Sequence, residues 1–405
     1  MYLGLTPREE EIRAMAREFA EKEVLPGAAE RDRTGEFPAA LVRRMGELGF
    51  YGLPYPKEYG GSAGGTVAYS LAAAEVARCD AAVGLTMAVN ATIGTLAVFL
   101  FGTEEQKQRW VPGVLRGRLI SAFGLTEEGA GSDAAAVKTT ATWDGGAADE
   151  AAGGSGGGQG PGGAGQWIIN GEKIFITNGS VADFVVVAAV TDPELGSRGI
   201  SCFIVPTDTP GFRVGKKFTK MGLRCSDTAH LVFEDCRVPA ENLLGKRGEG
   251  LKMFLTVLDT GRVGVAALSV GLAQACLEDS LAYAKNRVQF GQAIGKNQAV
   301  AFRLSETATE VEAARLLTIS AARARDAVME EAGKGGRFTT EAAMAKMFAS
   351  ETAVRAALTA LQVHAGHGYC LEYRAERLFR DAKLMEIGEG TSEVQRLVIA
   401  RGLGL

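Results

Sequence analysis

The stretch Trp167-Ile-Ile-Asn-Gly-Glu-Lys-Ile-Phe-Ile-Thr177 places two β-rich apolar runs on either side of Asn170-Gly171. Asn-Gly tolerates positive φ at both central positions of a type I′ turn, so the pattern predicts a two-residue hairpin joining strands at Trp167–Asn170 and Lys173–Thr177. Further short β-rich runs surround it: Val137–Trp143, Phe184–Val190, Ile200–Val205 and His230–Phe233. The middle of the chain therefore reads as a β domain.

Outward from this centre the period changes to that of helices. Towards the N-terminus, Thr6-Pro7 and Glu9 form a capping-box start with proline at the first helical position, and Ile12, Met15, Ala16 and Phe19 follow at helical spacing. Leu41, Val42, Met45 and Leu48 before Gly49, then Val67–Ala77, then a second capping box at Thr103 and Gln106, extend the helical reading to about residue 120. Beyond Gly250, helical patterns cover Leu268–Tyr283, Val300–Ala327, Ala342–Leu361 and Glu393–Arg401. The expected fold is α+β and multidomain: an all-α segment over 1–120, a β-barrel-like segment over 121–238 and a helical bundle of four or more helices over 239–405. Residues 144–166, almost wholly Gly, Ala and Ser, read as a flexible insertion.

Bulk properties narrow the function. The 405 residues are 46% apolar and 23% charged with a net charge of −4, a composition without the basic excess that nucleic acid would require. The six cysteines, Cys79, Cys202, Cys225, Cys236, Cys276 and Cys370, contain no C-x-x-C pair and read as reduced thiols. Arg8, Glu9, Glu10, Glu11 and Arg13 stand where a signal peptide needs an apolar core, so a cytoplasmic location is expected. Ala81–Phe101 is apolar enough to consider as a membrane span, but Gly84, Asn90 and Gly94 interrupt it, and a buried helix pair is the better reading. His364 and His367 find no further ligand to complete a metal set. Gly158, Gly160 and Gly163 match G-x-G-x-x-G without the preceding strand or following helix that phosphate binding needs.

Two runs carry chemistry. Phe123-Gly-Leu-Thr-Glu-Glu-Gly-Ala-Gly-Ser-Asp133 combines small residues, which let a planar ligand approach the backbone, with hydroxyls at Thr126 and Ser132; an ordinary turn would look the same. Ile387-Gly-Glu-Gly-Thr-Ser-Glu-Val-Gln-Arg396 sets Glu389 between two glycines, with Thr391 or Ser392 suited to cap a following helix. A solvated loop acid is the alternative reading of Glu389.

The TEEGAGSD run at Thr126, FITNG at Phe175, RCSDT at Arg224 and EGTSEVQR at Glu389 together resemble the acyl-CoA dehydrogenases, in the same order and over essentially the whole chain. The resemblance implies bound FAD and α,β-dehydrogenation of an acyl-CoA to the trans-2-enoyl-CoA, with Glu389 as the base. Such a base needs a dry pocket that raises its pKa and donors that polarise the thioester carbonyl. The family's donors are the base's own backbone N–H and a hydroxyl of the flavin. The resemblance further implies that Phe123, Leu125, Thr126, Ser132, Phe175, Thr177, Thr391 and Glu393 meet the flavin, and that Ser132, Asp259, Arg262 and Gly390 lie near the substrate. Arg287-Val-Gln289-Phe290-Gly resembles a contact to the FAD of a neighbouring subunit, as do Gln298 and Gln362 to Gly366. An obligate oligomer, commonly a tetramer, follows from that resemblance.

Some members, such as isovaleryl-CoA dehydrogenase, carry the base on an earlier helix, where this chain has Gly261; that strengthens Glu389. Glu128 and Gly388 depart from the family, which often has proline and tyrosine there. The segments around Asp259 and the Ala-Met-Ala-Lys run ending at Lys346 resemble short-chain members, pointing to short or branched acyl groups, with electron-transferring flavoprotein as acceptor. An oxidase is the main rival. Nitroalkane oxidase would use aspartate as base, a glutaryl-CoA enzyme would want a basic residue within Ala82–Met87, and a nucleic-acid-associated relative would show a basic stripe.

Overall fold

The computed structural model describes residues 4–145, 165–330 and 337–405. Most of the Gly-rich insertion, including the G-x-G-x-x-G match, lies outside the described residues.

The N-terminal helices are α1 (Pro7–Phe19), α2 (Ala28–Thr34), α3 (Ala39–Glu47), α4 (Gly65–Cys79), α5 (Ala81–Val89), α6 (Thr95–Phe101) and α7 (Glu104–Leu115). Both expected capping boxes form: Thr6 accepts from Glu9 N–H and Thr103 from Gln106 N–H, with each N3 side chain reaching back to the cap. Between α5 and α6 the residues Asn90–Gly94 form a π-turn. Ala81–Phe101 and the later helix Gly250–Asn286 are both long and apolar enough to cross a membrane, yet 89% and 83% of their most apolar windows are buried inside the protein. They serve here as core helices.

The central strands are β1 (Ser121–Gly124), β2 (Thr140–Asp144), β3 (Gln166–Thr177), β4 (Phe184–Val190), β5 (Ile200–Pro206), β6 (Phe212–Lys217), β7 (Thr228–Pro239) and β8 (Leu243–Leu244). They pair in the order β6-β7-β3-β2-β4-β5-β8, and β1 adds to β4 in parallel. No pairing of β6 with β8 closes the sheet among the described residues, so it is an open, curled sheet and not a closed barrel. Its inner layer packs Trp167, Phe203 and Phe233, each essentially unexposed.

The predicted hairpin at Asn170-Gly171 does not exist. β3 runs straight through both residues, pairing with β2 on one side and β7 on the other. The register of β3 against β7 shifts between Ile169 and Gly171, which is a β-bulge. Asn170 spends its amide on a neighbouring strand, accepting from Asp235 N–H at 2.7 Å and donating to Asp235 Oδ1 at 3.2 Å. Gly171, at φ +144°, is required because a Cβ there would lie 2.6 Å from Thr139 Oγ1. Long-range pairing therefore overrides the local turn signal. The predicted strand from Val137 likewise begins only at Thr140, because Lys138 and Thr139 give their N–H groups to Glu127.

The remaining helices are α8 (Gly250–Asn286), α9 (Gln298–Glu330), α10 (Thr339–His364), α11 (Ala375–Met385) and α12 (Ser392–Gly402), with a small ribbon, β9 (Val288–Gln289) and β10 (Gln292–Ala293), after α8. α8 packs against α4, α9 and α10, so one helix runs through the core that joins both helical parts.

Under the sheet, Lys173 is wholly buried and its Nζ contacts Glu127 Oε1 at 2.6 Å and Leu125 O at 3.3 Å. This pair ties β3 to the run that starts at Phe123. Lys173→Met leaves the Glu127 carboxylate buried without its cation, which should cost about 3–5 kcal/mol; adding Glu127→Gln should recover part of that loss. Denaturant unfolding of the three variants checks this, and an unaltered midpoint in Lys173→Met would refute it.

Candidate active site

Glu389 sits in the six-residue connection between α11 and α12, and its setting is a matter of backbone geometry first. Its φ is +55° and that of Gly390 is +95°, a pair of left-handed residues that only a glycine-rich turn accepts readily. Thr391 caps α12 by accepting from Val394 N–H, as expected for that hydroxyl. Gln395 donates to the carbonyls of Glu389 at 3.2 Å and Gly390 at 2.9 Å, which stops the turn from unwinding.

This turn drives the carboxylate inward. The residue as a whole is half-buried, yet Oε2 has no exposed surface and no hydrogen-bond partner among the described residues. Oε2 lies over Gly261 of α8: a Cβ at that glycine would sit 1.9 Å from Oε2 and 2.8 Å from Ile93 Cγ2. A side chain at Gly261 and the carboxylate of Glu389 would thus occupy one point in space. Burial pushes the Glu389 carboxyl up to about 7, against the opposing pull of Lys346 and Arg262.

The surroundings are dry but charged. Arg262 is buried and bonds Asp259 Oδ1 at 2.7 Å, while Asp259 Oδ2 accepts from the Thr339 hydroxyl at 2.5 Å. Burial raises the Asp259 carboxyl, with Thr339 and Arg262 working against it. Lys346 of α10 has no exposed surface and donates from Nζ to Gly390 O at 2.8 Å. From α4, Tyr69 is buried with its hydroxyl unpartnered, and burial, together with Tyr55 and Glu389 nearby, keeps that phenol protonated. Arg262 Nε is also without a partner among the described residues. The unpartnered buried atoms Tyr69 Oη, Arg262 Nε and Glu389 Oε2 come from α4, α8 and the turn before α12.

The sheet reaches this place through the π-turn. Ser121 N–H donates to Asn90 Oδ1 at 2.8 Å, and the same turn carries Ile93 to Gly261. The Phe123 ring packs on Phe254 of α8 at 4.2 Å, tilted by 46°, and Leu125 is buried in the same core. Thr126 is half-buried and its carbonyl accepts from Ile174 N–H, whereas Ser132 is exposed on the loop that follows. Phe175 falls in a bulge of β3, between Lys173 and Ile176, with φ +56° and 59% of its surface exposed. A bulge re-aims a side chain, and here it presents an aromatic face against Phe218 at 4.7 Å, with half-buried Thr177 two residues on. An exposed aromatic face of this kind could meet a flat aromatic ligand.

Thr391, Gly390 and Glu393 lie close to Glu389 along the chain, the last exposed on the first turn of α12. A second group of expected residues lies elsewhere. Arg287, Gln289, Phe290 and Gln298 follow the end of α8, about seven turns beyond Gly261, or roughly 37 Å at 1.5 Å per residue. Gln362 and Gly366, both exposed, share that far end, where Tyr283 stacks on His364 at 4.3 Å and bonds His367 Nδ1 at 2.8 Å. Phe290 is fully exposed there at φ +51°, and Val288, Tyr369 and Leu371 are exposed as well. Within one chain the two groups do not meet.

The two departures are accommodated. Glu128 occupies the tight turn closed by reciprocal Glu127–Ala130 backbone bonds, exposed, where proline would also fit. A Cβ at Gly388 would meet only Leu384 O, at 3.6 Å, so open space lies beside the base. Sequence reasoning missed Lys346 and Tyr69 as site residues. The visible signal for Lys346 was a cation at helical spacing with Ala342, Ala349 and Ala353, all on the buried face of α10.

Comparison with known proteins agrees with this architecture. Family models described as the acyl-CoA dehydrogenase N-terminal, middle and C-terminal domains match residues 6–118, 122–236 and 248–404. A probable acyl-CoA dehydrogenase of Bacillus subtilis is 48% identical, with 100% of both chains covered. The mitochondrial short-chain specific acyl-CoA dehydrogenase of Bos taurus is 44% identical over 96% of this chain and 88% of the relative. Among solved structures, butyryl-CoA dehydrogenase from Megasphaera elsdenii superposes with a TM-score of 0.91 at 39% identity, covering 100% of both chains. Matched in all three parts and along its whole length, the chain belongs to the acyl-CoA dehydrogenase family of oxidoreductases.

Proposed function

We propose that this chain converts a short-chain acyl-CoA thioester to its trans-2-enoyl-CoA, with Glu389 removing the α-proton. The observation that carries the reading is the sealed, unpartnered Oε2 of Glu389, held at Gly261 beside two buried cations. A carboxylate without water or donors is a stronger base than a solvated one, and a pKa near neutrality matches proton abstraction at working pH.

The family is FAD-dependent, and FAD when bound supplies the acceptor for the β-hydride. Phe123, Leu125, Thr126, Ser132, Phe175, Thr177, Thr391 and Glu393 are the residues of this chain that would hold it. The N–H of Glu389 makes no hydrogen bond among the described residues, so it is free to donate to the thioester oxygen. Asp259, Arg262, Gly390 and Ser132 line the way for the substrate.

The far group is assigned to a neighbouring subunit's flavin, which makes the enzyme a homo-oligomer, and a tetramer by its family resemblance. The separation along α8 and the exposure of the apolar side chains Val288, Phe290, Tyr369 and Leu371 support this. Electrons are then passed to electron-transferring flavoprotein. The likeness to short-chain enzymes favours short acyl groups.

Anaerobic titration of the FAD-loaded protein with butyryl-CoA tests the reading by loss of flavin absorbance. Bleaching is expected in the wild type, at a rate that climbs as pH rises through about 7 and Glu389 ionises. Glu389→Gln should slow it by at least about 10²-fold; equal rates in the two proteins would defeat the assignment. Gly261→Ala should displace the carboxylate, because the new Cβ meets Oε2, and should cost on the order of 10²-fold in the same rate while the fold survives. Wild-type rates in Gly261→Ala would show that the base does not work from this position.

A further inference from the structure

Lys346 presents an energetic problem that the proposed chemistry leaves open. Its side chain has no exposed surface, yet it has no ion-pair partner among the described residues and one hydrogen bond, to Gly390 O at 2.8 Å. Burying an ammonium in this way is costly, and the protein keeps it at the one peptide that follows the base. The other cation near Glu389, Arg262, is already balanced by Asp259 at 2.7 Å. The unneutralised charge facing the base is therefore that of Lys346.

We propose that Lys346 is a positioning residue for Glu389: it pins the Gly390 carbonyl so that the left-handed turn points the carboxylate inward, and its charge favours the ionised carboxylate. The proposal rests on the assignment of Glu389 as base. The hydrogen bond supplies the first role. Gln395 Nε2 shares the same carbonyl at 2.9 Å, so the acceptor is held from two sides, by α10 and α12. The second role follows from Coulomb attraction in a site that water does not screen. Burial drives the lysine down to about 8 and the glutamate up to about 7, and each charge resists the shift of the other.

The charged and titratable groups around the pair are few. Arg262 faces both from α8; Glu386, from the turn after α11, and Glu351, on α10 itself, face Lys346; Tyr69 faces Glu389 from α4 and stays protonated. Asp259 meets Arg262 and Thr339 and tempers the arginine. None of these can replace a cation on Gly390 O.

The test is the pH profile of flavin reduction by butyryl-CoA in FAD-loaded wild type, Lys346→Met, Lys346→Gln and Lys346→Arg. Loss of the charge should move the acidic limb upward by about one pH unit or more in both neutral variants. Lys346→Gln, which can still donate to Gly390 O, should regain part of the plateau rate that Lys346→Met loses. Lys346→Arg should keep the limb near its wild-type position. A fall that is uniform at every pH, with the limb unmoved, overturns the proposal. So does failure of both neutral variants to fold while Lys346→Arg behaves as wild type, because the lysine would then be a structural cation. Bleaching of the wild type is the separate control: its absence sinks the proposed function, whereas its presence leaves the limb position to decide the role of Lys346.

Discussion

A carboxylate enclosed without a hydrogen-bond partner is unstable in a folded protein unless its neighbours force it there, and the site is organised around that constraint. Desolvation favours the protonated form of Glu389, while Lys346 and Arg262 favour the charged one; the balance falls near neutrality. The turn that carries Glu389 can point inward because Gly388 and Gly390 flank it, and because Gly261 leaves the space that Oε2 fills. Any side chain at Gly261 would occupy the same point.

The fold meets this constraint with elements from every part of the chain. α8 provides Gly261, Asp259 and Arg262; α10 provides Lys346; α4 and the π-turn provide Tyr69 and Ile93. The sheet is joined to them through Ser121 and Asn90 and through the Phe123–Phe254 contact. Two bulges in the β3–β7 pair do different jobs: the first, on β7, sets Asp235 against Asn170, and the second, on β3, turns Phe175 outward as an exposed aromatic ring. The buried Lys173–Glu127 pair fixes the run that carries Thr126.

Much of this was legible in the sequence because it is local. Thr6, Thr103 and Thr391 cap helices through contacts within three residues, so their side chains announced the helix starts correctly. Asn170-Gly171 misled for the opposite reason: its geometry is set by Asp235 and Thr139, residues distant in sequence that a turn rule does not see. Glu389 stood out only through its motif, since a glycine-flanked acid looks the same in solvent as in a sealed pocket. Lys346 was hidden because burial on α10 depends on which helices pack around it. Arg287 and Phe290 carried a motif too, but their distance from Gly261 emerges only when α8 is seen as one unbroken helix of 37 residues.

The central claim is that packing alone lifts one carboxyl group towards neutrality. Infrared titration of the protonated carboxyl stretch, taken as the difference between wild type and Glu389→Gln, measures this without substrate turnover. A midpoint near pH 7 is the predicted result. A midpoint near the ordinary glutamate value of about 4.3 would mean that Glu389 is solvated in solution, and would contradict the account.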